Sequence, residues 1–365
     1  MTHGPIDRAR PARRRRTGLA LFAVGMLLAG LTGCSTFSAG GRAQYNADGM
    51  APQPLAPTSA AATAGAGPSA SAKPAPDLPY DVRPLLDPAH KYFGVAAEGA
   101  PDSMQSVQDY TNLVGKKPNL VEFYSAWGDP FDGGGSANAW NSGALPFMSW
   151  EPKTVSLADI AAGKSDDYIR QVATAIRQTN RPLALSFGHE MNGDWSPWGN
   201  KHATPADFVA AWRHIHDIFQ NVGATSVIWV WSPNQTNIAH NPLQPYWPGD
   251  GYVDWVGVIG YYGQSNLHTF KTLFEPTLDE IRVFTAKPFL IAETASSPGP
   301  GKGDDIDDLF STVEARSDIL GFVWFNFHKN VAGETNWRVD SSPQAQDAFR
   351  HDAADPRFGF DVRQP

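Results

Sequence analysis

From Tyr92 onward the chain repeats one pattern: a short, nearly continuous apolar run, then a longer stretch in which apolar residues recur at helical spacing. The runs fall at Tyr92 to Glu98, Leu120 to Trp127, Leu145 to Trp150, Leu183 to His189, Val227 to Trp231, Val253 to Tyr261, Phe289 to Glu293 and Leu320 to Phe327. Such runs suit parallel strands covered on both faces, whereas a sheet open to water on one side would alternate. Between them, Ile169, Val172, Ala173 and Ile176 form one helical stripe, with Ser165 as N-cap and Asp166 and Asp167 in the first turn, where the helix dipole favours them. A second helix is predicted from Thr204 as cap and Pro205 at its first position, with Phe208, Trp212, Ile215 and Phe219 as its buried stripe. Eight such repeats over about 270 residues match a (β/α)8 TIM barrel. The doubly wound alternative lacks its glycine fingerprint.

The first 88 residues read differently. Arg10, Arg13, Arg14, Arg15 and Arg16 precede an apolar stretch from Leu19 to Leu28, too short to span a membrane comfortably and shaped like a secretory signal. It ends in Leu31-Thr32-Gly33-Cys34, which resembles the bacterial lipobox and implies cleavage before Cys34 and lipidation of its thiol. From Ser35 to about Pro88 the composition is Ala, Pro, Ser, Thr and Gly, expected to form a disordered tether. The expected organisation is therefore a lipoprotein signal peptide (1–33), a tether (34–88), a catalytic barrel (89–357) and a short C-terminal tail (358–365). A lipid anchor on Cys34 would hold the barrel at the outer face of the cell membrane, or the protein is secreted.

Composition narrows the function. The net charge is -8, so phosphate-backbone binding is not expected and nucleic acid is a poor partner. The single Cys excludes an internal disulfide and lies far from any His cluster. His189-Glu190 lacks the second His of a zinc-protease helix, and His214 and His216 are two apart on a helix and diverge. No catalytic metal and no cofactor are expected. Gly299-Pro300-Gly301-Lys302-Gly303 lacks the spacing of a phosphate loop, and no Gly-x-Ser-x-Gly elbow occurs. Asp304, Asp305, Asp307 and Asp308 are expected to open a helix.

Active residues of such a barrel sit at the C-terminal ends of strands. Two strands here, the fourth and seventh, run into glutamates: Leu183 to Phe187 is followed by Gly188-His189-Glu190-Met191-Asn192-Gly193, and Phe289-Leu290-Ile291-Ala292 by Glu293-Thr294. Glycoside hydrolysis needs two carboxyl groups flanking one bond, one to protonate the leaving oxygen and one to attack the anomeric carbon or activate water. A lone glutamate at a strand end more often makes a salt bridge or a cap, but the pair surrounded by tryptophans points to a polysaccharide substrate.

The segment Gly188-His189-Glu190-Met191-Asn192-Gly193-Asp194-Trp195-Ser196-Pro197-Trp198-Gly199 resembles the signature of glycoside hydrolase family 26, and Ile291-Ala292-Glu293-Thr294 its nucleophile strand. Tyr124 to Pro130, Ser149 to Pro152, Asp166 to Ile169 and Asn336 to Asp340 are also similar to bacterial members. The resemblance implies a retaining endo-β-glycanase, chiefly a β-1,4-mannanase, with mixed-linkage β-glucanase the alternative and a non-catalytic polysaccharide-binding barrel a third reading. It implies Glu190 as acid/base, Glu293 as nucleophile, His189 as a neighbour that hydrogen-bonds within the site, and Tyr261 as the tyrosine that contacts the nucleophile. Burial and its negative neighbour should keep Glu190 protonated, while donors such as Tyr261 should keep Glu293 ionised. One position departs from the mannanase pattern: Ile259 stands where mannanases of the family typically carry Asp.

Flat indoles offer sugar rings large contact areas at little rotamer cost, so Trp127, Trp195, Trp198 and Trp324, at strand ends or in loops, are expected as substrate platforms. Trp150, Glu151, Trp231 and Trp337 are weaker candidates for the walls, and Trp212 and Trp229 are expected in the core. A monomer is expected.

Overall fold

A computed structural model describes residues 78–236, 240–328 and 335–365. The leader, Cys34 and most of the expected tether lie outside the described residues. Eight parallel strands, β1 (Tyr92–Ala97), β2 (Leu120–Ala126), β3 (Leu145–Glu151), β4 (Leu183–Phe187), β5 (Val227–Trp231), β6 (Trp255–Ile259), β7 (Phe289–Thr294) and β8 (Ile319–Asn326), pair in sequence order, and β8 returns to β1 to close a barrel. The helices described are α1 (Arg83–Leu86), α2 (Gln105–Val114), α3 (Gly133–Asn141), α4 (Leu157–Ala161), α5 (Asp166–Thr179), α6 (Pro205–Val222), α7 (Phe270–Leu273), α8 (Glu275–Arg282), α9 (Lys302–Ala315) and α10 (Pro343–Ala353). Each strand lies within two residues of the run that predicted it.

Alternation along the strands divides the apolar residues between two clusters. Phe93 and Val95 of β1, Val121 and Phe123 of β2 and Met148 and Trp150 of β3 join the helix stripes. Tyr92 and Ala96, Leu120, Leu145 and Phe147 join Val230, Trp255, Ile259 and Val323 in the lumen. Glu122 and Tyr124 of β2 and Ser149 of β3 keep the lumen phase of their strands, so polar groups enter the barrel as it approaches its C-terminal mouth. The α6 start forms as predicted: Thr204 Oγ1 accepts from the Asp207 amide at 3.1 Å and the Asp207 carboxylate accepts from the Thr204 amide at 3.0 Å, a capping box with Pro205 beside it. Ser165 precedes α5 but makes no side-chain cap; Asp166 instead meets His214 of α6 at 2.6 Å, while His216 packs on Trp229 and Tyr252.

Both ends of the expected catalytic domain need correction. The stretch 78–88 is not a free tether: Leu85 is fully buried in the lumen cluster, its carbonyl accepts from the Tyr92 hydroxyl at 2.8 Å, and the Leu86 carbonyl accepts from the Trp255 indole at 3.0 Å. Tyr80 meets Trp140 edge to face. The stretch 358–365 is not a tail either: Phe358 and Val362 are buried, and Phe358 bridges to Lys91 before β1. The barrel base is open until an apolar side chain fills it, and Leu85 and Val362 do so. Leu85→Ala should therefore lower unfolding free energy by about 2–5 kcal/mol, and a chain begun at residue 89 should melt earlier still; an unchanged denaturant midpoint for both would restore the tether reading.

Candidate active site

Glu190 and Glu293 reach the mouth by different local devices. After β4 the chain turns sharply through Gly188 and Glu190, both with positive φ (57° and 55°). A left-handed glutamate costs about 1–3 kcal/mol and persists where its surroundings fix it. Here the Glu190 amide donates to the Ser232 carbonyl at 2.7 Å, its carbonyl accepts from the Gly193 amide at 2.9 Å, and the Gly188 amide donates to the Trp150 carbonyl at 2.9 Å. On β7, Leu290 and Ala292 both join the lumen cluster, so strict alternation would send Glu293 toward the helices. The β6–β7 register instead jumps from Val258↔Ile291 to Ile259↔Glu293, a bulge that re-aims the carboxylate into the mouth.

The two carboxyl groups are then held by donors of different kinds. Glu293 accepts hydrogen bonds from the hydroxyls of Tyr124 on one oxygen and Tyr261 on the other. Glu190 accepts from Asn234 Nδ2 at 2.6 Å and from the Trp195 indole at 2.7 Å. Asn234 is itself fixed by Asn192, whose amide oxygen accepts from the Asn234 backbone at 2.8 Å while its Nδ2 donates to the Asn234 carbonyl at 2.8 Å. Asn192 is fully buried. Beneath the pair, Glu122 is 2% exposed; Ser149 Oγ donates to its Oε1 at 2.7 Å, and its Oε2 has no partner.

Burial raises the proton affinity of all three carboxyl groups. Glu293 is pushed up to about 7, by burial first and by the Glu190 charge next, against the two phenol donors. Glu190 is raised by burial, with the indole and the Asn234 amide opposing. Burial and the charge of Glu293 hold Glu122 well above the usual carboxylate range, so it stays neutral. The expectation that tyrosine donors would keep Glu293 ionised is therefore too simple: desolvation and the Glu190 charge outweigh them. Both phenols are raised well above their ordinary value by burial, so they remain donors.

His189 is buried and neutral, its pKa lowered to about 4 by burial and by Lys153. Its Nδ1 has no partner, contrary to the hydrogen-bonding role expected for it, and its ring lies between Tyr124 and Trp198 at centroid distances of 6.0 and 5.7 Å. Of the four expected platforms only Trp195 offers a face: it is 48% exposed beside Glu190. Trp198 is 3% exposed and donates to the His189 carbonyl at 2.7 Å, so it braces the β4 turn. Trp127 is 8% exposed and stacked on Trp150 at 4.5 Å. Trp324 is buried on the helix side of β8, against Phe349. Trp337 instead reaches the site, its ring 4.6 Å from that of Tyr261. Trp212 and Trp229 are core residues, and Trp231 packs with Trp247 and Phe284. Tyr124, Asn234 and Glu122 were not singled out from sequence as site residues; the lumen phase of β2 was the available signal for Tyr124 and Glu122. Among the described residues no group of three or more His, Cys, Asp or Glu is placed to hold a metal ion.

The profile described as glycosyl hydrolase family 26 matches residues 158–351, more than half of the chain. This chain belongs to glycosyl hydrolase family 26. Endoglucanase H of Acetivibrio thermocellus is 32% identical over 267 residues, covering 69% of this chain but 29% of that protein. Mannan endo-1,4-beta-mannosidase A and B of Caldalkalibacillus mannanilyticus is 30% identical over 176 residues, covering 46% of this chain and 30% of that protein. The chain thus spans less than a third of the length of either relative. Among solved structures, the catalytic domain of an endo-beta-1,4-mannanase from Bacillus sp. JAMB-750 superposes with a TM-score of 0.58 at 16% identity, covering 77% of this chain and 89% of that one; this likeness speaks for the fold.

The donor set makes a direct prediction. A hydrogen bond to a charged group is worth about 1.5–3 kcal/mol, so Tyr261→Phe, by removing a donor to the ionised form, should raise the Glu293 pKa by roughly one unit or more. Carbon NMR of protein labelled at the glutamate carboxyl carbons, with Glu293→Gln assigning the resonance, reads this without substrate. An unmoved titration would show that the phenol does not tune the carboxylate.

Proposed function

We propose that this family 26 chain is a retaining endo-β-glycanase that cleaves a β-1,4-linked polysaccharide, with mannan as first substrate. The observation that carries the reading is that two carboxyl groups from different strands meet in one buried mouth, each gripped on both oxygens by donors. In the first step a Glu293 oxygen attacks the anomeric carbon as the glycosidic C–O bond breaks, and Glu190 gives its proton to the departing oxygen. In the second, Glu190 takes a proton from a water whose oxygen attacks the same carbon, breaking the glycosyl–Glu293 bond and restoring both groups. Two inversions retain the β configuration. Binding substrate expels water and places the glycosidic oxygen beside Glu190, which favours the proton on Glu190 and leaves Glu293, with its two phenol donors, as the nucleophile. Trp195, the exposed indole already bonded to Glu190, is the platform for the sugar beside the cleaved bond. A non-catalytic binding barrel would have no use for so costly a desolvated pair.

A second substrate reading rests on Ile259. It is 2% exposed, belongs to the lumen cluster and precedes Tyr261 by two residues, so it lies in the floor below the nucleophile's donor rather than outside the barrel. An isoleucine cannot hydrogen-bond a sugar hydroxyl, and apolar contacts discriminate configuration weakly. Similarity to both an endoglucanase and a mannosidase is compatible with this reading. On matched manno- and gluco-configured β-1,4 oligosaccharides the ratio of kcat/KM should therefore stay below about a thousandfold, and Ile259→Asp should move it toward mannan. A larger mannan preference in the wild type would refute relaxed specificity, and release of the α-anomer as first product, followed by proton NMR, would refute the retaining reading itself.

A further inference from the structure

Behind Tyr261 the structure contains a second, unexpected grip. Lys302, at the start of α9, is 1% exposed, and a buried ammonium is tolerated only where its donors are used. Its Nζ donates to the Arg338 carbonyl at 2.8 Å and to the Trp337 carbonyl at 3.4 Å, and stands 5.6 Å from the centre of the Trp324 ring. The segment so held begins where the Trp337 amide donates to the Phe327 carbonyl at 3.0 Å, and the Trp337 ring lies 4.6 Å from the Tyr261 ring. Tyr261 in turn donates its hydroxyl to Glu293. Contacts therefore run without a break from Lys302 to Glu293.

We propose that Lys302 is a positioning residue for Glu293: by gripping the carbonyls of Trp337 and Arg338 it holds the Trp337 indole against Tyr261 and so keeps the Tyr261 hydroxyl aimed at the carboxylate. This rests on the reading of Glu293 as nucleophile. The charged groups facing Lys302 are Asp305 on its own helix and Asp340 on the gripped segment, which favour its charged form, with Arg338 paired to Asp340 at 2.8 Å. Those that act on Glu293 are Glu190 and Glu151, with Tyr124 and Tyr261 as donors and Glu122 beneath. Lys302 donates to backbone carbonyls and not to the carboxyl groups at the mouth; it reaches them through the aromatic pair. Burial lowers its own pKa to about 8, which agrees with a cation held by carbonyls and an indole rather than by a carboxylate contact.

The test is the Glu293 titration by carboxyl-carbon NMR in the full chain, which needs no substrate and so stands apart from the substrate reading. Lys302→Met should raise the Glu293 pKa by about half a unit, part of the Tyr261→Phe shift, because the phenol stays but its aim loosens. In the Tyr261→Phe background the same substitution should add nothing, since the donor it acts through is gone. Trp337→Leu, which leaves α9 intact, should repeat both results and decides the matter if Lys302→Met does not fold. Equal shifts in both backgrounds would mean that the lost charge acts through space, and no shift in either variant would mean that Tyr261 is held without Lys302; each overturns the proposal. If no β-glycan were cleaved, the proposed activity would fall while the coupling between Lys302 and Tyr261 could still be read.

Discussion

Carboxylates resist leaving water, and the mouth of this barrel gathers three of them into one desolvated space. The remaining features of the site answer that cost. Glu122 meets it by remaining protonated, Glu293 by taking two phenol donors, and Glu190 by taking an amide and an indole. Donors and burial oppose each other at both catalytic candidates, and burial prevails: both carboxyl groups hold a proton more tightly than an ordinary glutamate, Glu293 up to about 7. Removing a donor therefore does not merely loosen a side chain; it raises the proton affinity of the carboxyl group it served.

The fold supplies the positions. A closed parallel barrel aligns strand ends from distant parts of the sequence around one mouth, and two local departures from regularity then turn the side chains inward. One is the left-handed turn at Gly188 and Glu190, braced by Trp198 on the His189 carbonyl; the other is the β7 bulge at Ala292. Around them a second layer of buried polar residues, Asn192 against Asn234 and Lys302 against the Trp337 segment, orients the groups that touch the carboxylates. Rigid support from elements outside the site is what keeps a donor within hydrogen-bond reach of its carboxylate.

Much of this was legible from the pattern of residues. Continuous apolar runs marked all eight strands, since strands buried on both faces have no polar phase, and two runs ending in glutamate marked the pair. Other features could not be read that way. Alternation from Leu290 and Ala292 places Glu293 on the wrong face, and only the bulge corrects it. Three of the four tryptophan platforms, Trp127, Trp198 and Trp324, turn out buried because residue type and loop position do not report which side of a strand an indole takes: Trp324 follows Phe322 to the helix side, whereas Trp337, in a loop with no periodicity, comes back to Tyr261. The Pro-rich approach to β1 hid Leu85, one apolar residue whose value depends on an open barrel base that the local sequence does not reveal. Asn234 follows β5 and reads as an ordinary loop amide; its partnership with Glu190 exists only once β4 and β5 are neighbours.

The central claim is that Glu293 forms the covalent bond and Glu190 moves the proton. Incubation with a 2-deoxy-2-fluoro β-glycoside bearing a dinitrophenolate leaving group slows the second step more than the first, so the glycosyl-enzyme accumulates and can be located by peptide mass spectrometry. One fluoroglycosyl group on Glu293, absent from Glu293→Gln and still formed by Glu190→Gln because the leaving group needs no proton, is the expected result. Turnover without any adduct, or an adduct on Glu190, would contradict it.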